Sequence, residues 1–147
     1  MSRRPQHNLQ IQETLLDFIR EKFTDSRVYI HFTGDKSVAE KILSEGFRYS
    51  ESFAQTTSEI SLSKIDIKYK IQLYREYGNF LIVICLPIIL FETRKSRGMD
   101  TQHDTLYNLG LSDFDPGEEL EYKLPPQYIF AYIDLESNSI YKNDQYS

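Results

Sequence analysis

Two short stretches of this chain bring titratable and hydrogen-bonding side chains together at telling spacings. The first runs Val28-Tyr29-Ile30-His31-Phe32-Thr33-Gly34-Asp35. Alternation puts Val28, Ile30 and Phe32 on one face of a strand and Tyr29, His31 and Thr33 on the other. The strand runs out at Gly34-Asp35, so an imidazole and a hydroxyl stand on its polar face where a cleft can open. The second stretch is Glu118-Glu119-Leu120-Glu121-Tyr122. In a strand Glu119 and Glu121 share a face, and two like charges so placed repel. A solvated edge strand tolerates such a pair, whereas a site that works with two carboxylates requires it. The pair follows a turn-rich loop bearing Phe114 and precedes an apolar strand, and that context favours a site.

Each stretch needs elements to hold it. After Asp35 a capping box of Ser37 with Glu40 opens a short helix. Its apolar face is Val38 with Ile42 and Ala39 with Leu43. Gly46 ends it without a Cβ penalty, and Phe47 can fold back on the last turn. Upstream, Ile11, Leu15, Ile19 and Phe23 recur every fourth residue, with Leu16 and Phe18 widening the stripe. That predicts an amphipathic helix over Leu9 to Phe23, with Asn8 as its N-cap. Residues 48–58 read as a broken strand rich in hydroxyls. From Leu62 to Tyr77 two patterns compete: Ile65, Ile67, Tyr69, Ile71 and Leu73 alternate, while Leu62, Ile65, Tyr69, Leu73 and Glu76 follow a helical row. Length favours a helix.

The apolar run from Phe80 to Leu86 predicts a central strand buried on both faces, ended by Pro87. Phe91 to Gly117 is polar and turn-rich, and loops of that length are usually functional or mobile. Glu118 to Lys123 and Gln127 to Leu135 predict two strands about Pro125-Pro126. An edge strand and a frayed tail follow.

Composition narrows the classes. At 147 residues the chain is long enough for one domain with a substantial core. The abundance of Tyr and Phe, with no Trp, favours a sheet. A net charge of −5 speaks against a broad phosphate-tracking surface. Cys85, alone in the most apolar run, reads as a buried small hydrophobe. Without a thiol framework, a signal peptide or an apolar run of spanning length, the expectation is a cytoplasmic protein with no membrane partner. Three scattered histidines give no metal-ligand spacing.

In order and spacing the two stretches resemble the ADP-ribosyltransferase superfamily. Tyr29-Ile30-His31-Phe32-Thr33-Gly34, with the helix ending at Gly46-Phe47, resembles the first NAD-contacting strand of its histidine-first branch. That branch includes poly-ADP-ribose polymerases, diphthamide-directed toxins and tRNA 2′-phosphotransferases. Phe114 to Pro126, with its Glu119-Leu120-Glu121, is similar to the aromatic-bearing turn and E-x-E strand of mono-ADP-ribosyltransferases. The resemblance spans Val28 to Leu135. It implies that NAD is the substrate and that the nicotinamide–ribose bond is cleaved. Glu121 would bond the ribose 2′-hydroxyl and oppose the positive charge that develops on the ribose. Glu119 would orient or deprotonate the nucleophile, and His31 would bond a ribose hydroxyl. Phe32 would meet the nicotinamide amide through its backbone, with Thr33 and Gly34 completing the cofactor-binding strand. Tyr49 or Phe53 would stack on the ring, and Phe114 would stand over the site toward the acceptor.

The pattern departs from the family in three ways. Phe32 stands where the family has glycine, which would crowd the amide contact. A different register, set by Gln127, would make Glu119 the catalytic carboxylate. Thr56-Thr57-Ser58 resembles the Ser-Thr-Ser element of another branch. The expected fold is α+β over residues 1–147 as a single domain: a split, bent, mixed sheet of six or so strands with two or three helices. Residues 1–27 would form an N-terminal helix and turn, and 136–147 a tail. The expected function is an NAD-dependent ADP-ribosyltransferase of toxin or effector type, with a protein acceptor ahead of a nucleic acid. A non-catalytic NAD- or target-binding module, or an acidic interaction or inhibitor protein, is the alternative. A tRNA 2′-phosphotransferase is less favoured because it needs basic residues to hold RNA.

Overall fold

A computed structural model describes residues 13–49, 57–89 and 122–146. In chain order these form α1 (Glu13–Arg20), β1 (Ser26–Thr33), α2 (Lys36–Glu45), β2 (Phe47–Tyr49) and β3 (Thr57–Ile60). There follow α3 (Lys64–Tyr74), β4 (Phe80–Pro87), β5 (Tyr122–Leu124), β6 (Ile129–Asp134) and β7 (Ser139–Lys142). Five strands make one sheet in the order β3-β1-β4-β6-β7, and β2 and β5 pair as a separate ribbon. The class is α+β, and the sheet is split as expected. Every pairing among the described residues is antiparallel, so the expected mixed sheet is corrected.

The sheet is covered on both sides, which explains the unbroken apolar run of β4. On one side, Val28, Ile30 and Phe32 of β1 and Leu81, Val83 and Cys85 of β4 meet α1 through Leu15, Leu16 and Ile19, and α3 through Ile67 and Ile71. On the other, Ile82, Ile84 and Leu86 meet Ala39, Ile42 and Leu43 of α2 and Phe47 and Leu124 of the ribbon. A central strand with cover on both faces has no place for polar alternation. A register shift in β6 pairs Val83 with Ala131 and Ile84 with Ile129. Phe130 is thereby the extra residue, and it stacks on Phe18 of α1 at 4.6 Å between centroids.

Several local expectations change. The helix foreseen over Leu9 to Phe23 is α-helical from Glu13 to Arg20 and then tightens into a 3-10 turn, Glu21–Thr24; residues before Glu13, Asn8 among them, lie outside the described residues. Asp35, not Ser37, caps α2: its carboxylate accepts from the Ser37 amide at 2.9 Å and the Ser37 hydroxyl at 2.7 Å. A carboxylate fits this place best because it meets unpaired amides and the positive end of the helix dipole, and those bonds hold its pKa below the usual carboxylate value. Val38 is exposed; the buried face is Ala39, Ile42 and Leu43.

The helical reading of the Leu62 to Tyr77 segment holds. However, α3 buries Ile67 and Ile71 and exposes the predicted row of Ile65, Tyr69 and Leu73. The foreseen strand over Gln127 to Leu135 begins only at Ile129, because Pro126–Tyr128 is a 3-10 turn. The edge strand near the C-terminus is β7, at the sheet's edge. The tail beyond it is not frayed. Asn143 donates to the carbonyls of Pro126 and Ile129, Gln145 donates to that of Ser44, and Tyr146 packs on Phe130.

Candidate functional site

The site is built from the end of β1. His31 lies between Thr57 of β3 and Ile82 of β4 in register. Its half-buried ring rests on Phe47 at 4.6 Å between centroids, tilted by 48°. Thr33 ends the strand opposite Phe80, and its hydroxyl accepts from the Asp35 amide at 3.3 Å. Gly34 is exposed just beyond. Behind this turn stands Gly78, whose φ of +150° and closeness to the Thr33 and Gly34 backbone exclude any side chain.

The expectation of a polar face on β1 needs correcting at Tyr29, which is fully buried in the second core. Burial pushes its phenol pKa up, with the Glu59 carboxylate adding to the shift. Its hydroxyl has no hydrogen-bond partner among the described residues. Two residues earlier on the same face, Arg27 holds Glu59 of β3 through two donors, at 2.9 and 3.3 Å. The face therefore reads cation, buried phenol, imidazole, hydroxyl along Arg27, Tyr29, His31 and Thr33.

Phe32 lies on the opposite face. It is buried in the α1 and α3 core and stacks on Tyr74 at 6.1 Å. Its side chain therefore leaves through the side of the sheet opposite His31.

The ribbon places β5, which opens with the last residue of the second stretch, beside the end of α2. Gly46 turns the chain from α2 into β2 at a φ of +99°, and a Cβ there would overlap the Leu124 carbonyl. So close an approach lets Phe47 pair with Leu124, Arg48 with Lys123 and Tyr49 with Tyr122. Tyr122, the first residue of β5, directly follows Glu121 in the sequence. Phe47 thus contacts His31 through its ring and the strand after Glu121 through its backbone. Glu119, Glu121, Phe53 and Phe114 themselves lie outside the described residues, and for Tyr49 only the backbone is described.

Three participants escaped the sequence reading. Phe47 was foreseen packing on α2 and is also the platform beneath His31. Arg27 stands four residues before His31 on the same strand, so period-two counting continued backward reaches it. Glu59 is visible only through pairing. Cys85 is buried as expected, and burial raises its thiol pKa to about 12, which leaves it unreactive. Among the described residues no cluster of three His, Cys, Asp or Glu could hold a metal ion, and no helix is long and apolar enough to cross a membrane. No protein-family model, curated protein or solved structure matches this chain.

Proposed function

We propose that the chain is an NAD-dependent ADP-ribosyltransferase with the fold of that superfamily, working in the cytoplasm on a protein acceptor. One observation carries the reading: two motifs far apart in sequence meet at Phe47, which bears the His31 ring and pairs with the strand that opens directly after Glu121. The residue before that strand in sequence is a carboxylate and β1 carries an imidazole near its end, the two groups that would hold one ribose from two sides. The C1′–N bond breaks with its electron pair leaving on the nicotinamide nitrogen. Glu121 opposes the positive charge left on the ribose. An acceptor lone pair then closes on C1′, and its proton passes to Glu119. Phe114 is assigned to the acceptor side by the same resemblance.

A non-catalytic module of the same fold, suggested by Phe32 in place of glycine, is the alternative; the Phe32 side chain is buried on the face opposite His31. The test is incubation with NAD labelled in the adenylate portion and a cell extract. Label appearing on protein, with nicotinamide released, supports transfer. Wild-type protein that neither binds NAD by calorimetry nor releases nicotinamide refutes the reading.

A further inference from the structure

Helix α3 is apolar on two sides. Ile67 and Ile71 face the core. Ile65, Tyr69 and Leu73, spaced four residues apart, form a second stripe on the outer surface, with 81%, 59% and 49% of their areas exposed. Single exposed apolar side chains are ordinary, but a row of three large ones along one helix face marks a contact surface. We propose that this row is the contact between two copies of the chain, with their α3 helices antiparallel about a two-fold axis at Tyr69.

The order of the side chains is what a two-fold contact needs. An axis at Tyr69 sets tyrosine on tyrosine and brings Ile65 of each copy to Leu73 of the other, so one patch complements itself. The i, i+4 spacing is that of the ridges by which helices interlock. The lysines flanking the row are met within each copy. Lys64 lies 2.6 Å from Glu13 and 3.6 Å from Asp17, Lys68 lies 4.0 Å from Glu13, and Lys70 lies 3.9 Å from Asp66. Apart from Glu76, the surface beside the stripe is therefore close to neutral, although the chain carries −5. Two copies can meet there without the repulsion that acts elsewhere, and little excess charge remains to select a charged partner. The three apolar side chains offer roughly 400 Å² per copy. With the flanking stems of Lys68, Gln72 and Glu76, the pair reaches the roughly 1,000 Å² that a specific interface requires.

Sedimentation velocity on the purified chain tests this, because the reading does not depend on NAD. The wild type should sediment as a dimer that dissociates on dilution. Ile65→Asp should leave the circular dichroism unchanged, the side chain being exposed. It should weaken the dimer about thirtyfold per copy, and about a thousandfold for a contact made twice. Tyr69→Cys, treated with oxidised glutathione, should form a covalent dimer, whereas Glu21→Cys, on the 3-10 turn after α1, should not. A wild type that remains monomeric at several hundred micromolar would overturn the proposal, and so would a dimer that survives Ile65→Asp or a Tyr69→Cys variant that fails to cross-link.

Discussion

The His31 imidazole lies against the Phe47 ring, 4.6 Å between centroids and tilted by 48°. Phe47 is also the residue that pairs with Leu124 in the ribbon. One aromatic side chain therefore supports the histidine while its backbone fixes the strand that follows Glu121. A tilted ring contact of this kind favours one orientation of the imidazole.

Removing that support should separate stability from binding. Phe47→Ala empties a buried site shared by α2, the sheet and the ribbon, and large-to-small changes of this type cost about 3–5 kcal/mol. Phe47→Leu refills most of the volume and should recover most of the urea midpoint, yet it supplies no ring beneath His31. The expected result for Phe47→Leu is near-native stability with NAD affinity lowered about tenfold by calorimetry. Native affinity in Phe47→Leu would reduce the contact to ordinary core packing.

The two carboxylates should divide the chemistry. Glu121→Gln keeps shape and a hydrogen bond while removing the charge that opposes the ribose cation. Loss of one preorganised group of this kind costs about 10²–10³ in rate, and the loss should fall on kcat with little change in NAD affinity. Glu119→Gln should spare NAD hydrolysis and abolish transfer. Single-turnover assays of released nicotinamide beside labelled acceptor distinguish the two, and the reversed pattern would assign Glu119 as the catalytic carboxylate.

Gly46 and Gly78 should tolerate no side chain. At Gly46 a methyl group would overlap the Leu124 carbonyl, and at Gly78 the backbone of Thr33 and Gly34; both residues have positive φ. Alanine at either place should destabilise by more than about 1 kcal/mol, the reverse of the usual benefit of Gly→Ala. Gly46→Ala should also part β2 from β5, read as faster amide exchange at Tyr122 and Leu124. Unchanged melting in either variant would show that the neighbouring strand yields at no cost.

Tyr29→Phe should make the protein more stable. A buried hydroxyl with no partner among the described residues carries a desolvation cost of about 1–3 kcal/mol, and phenylalanine keeps the ring in place. The pH dependence follows from the raised phenol pKa, which burial causes. A group whose folded pKa lies above its unfolded value stabilises fully below the unfolded value, about 10 for tyrosine. That contribution fades as pH rises toward the folded value. The wild type should therefore lose stability above about pH 10 more steeply than Tyr29→Phe, as measured by urea midpoints from pH 8 to 11. Parallel curves would place the phenol in contact with water.

Local chemistry in the sequence was enough for β1, the helix stop at Gly46, the central strand Phe80 to Leu86 and the helical reading of α3, because each depends on neighbours a few residues away. Periodicity and turn residues report such short-range preferences directly. Three matters were decided only by the tertiary fold. Tyr29 looked polar-facing because alternation gives two faces but not what covers them, and here α2 and the ribbon cover both Tyr29 and Ile82. The α3 helix carries apolar side chains on opposite sides, so its pattern could not say whether Ile67 or Ile65 turns inward. Phe47 as the bridge between His31 and β5 is a long-range pairing, and no residue encodes its distant partner; the approach of Gly46 to Leu124 and the packing of three layers select it.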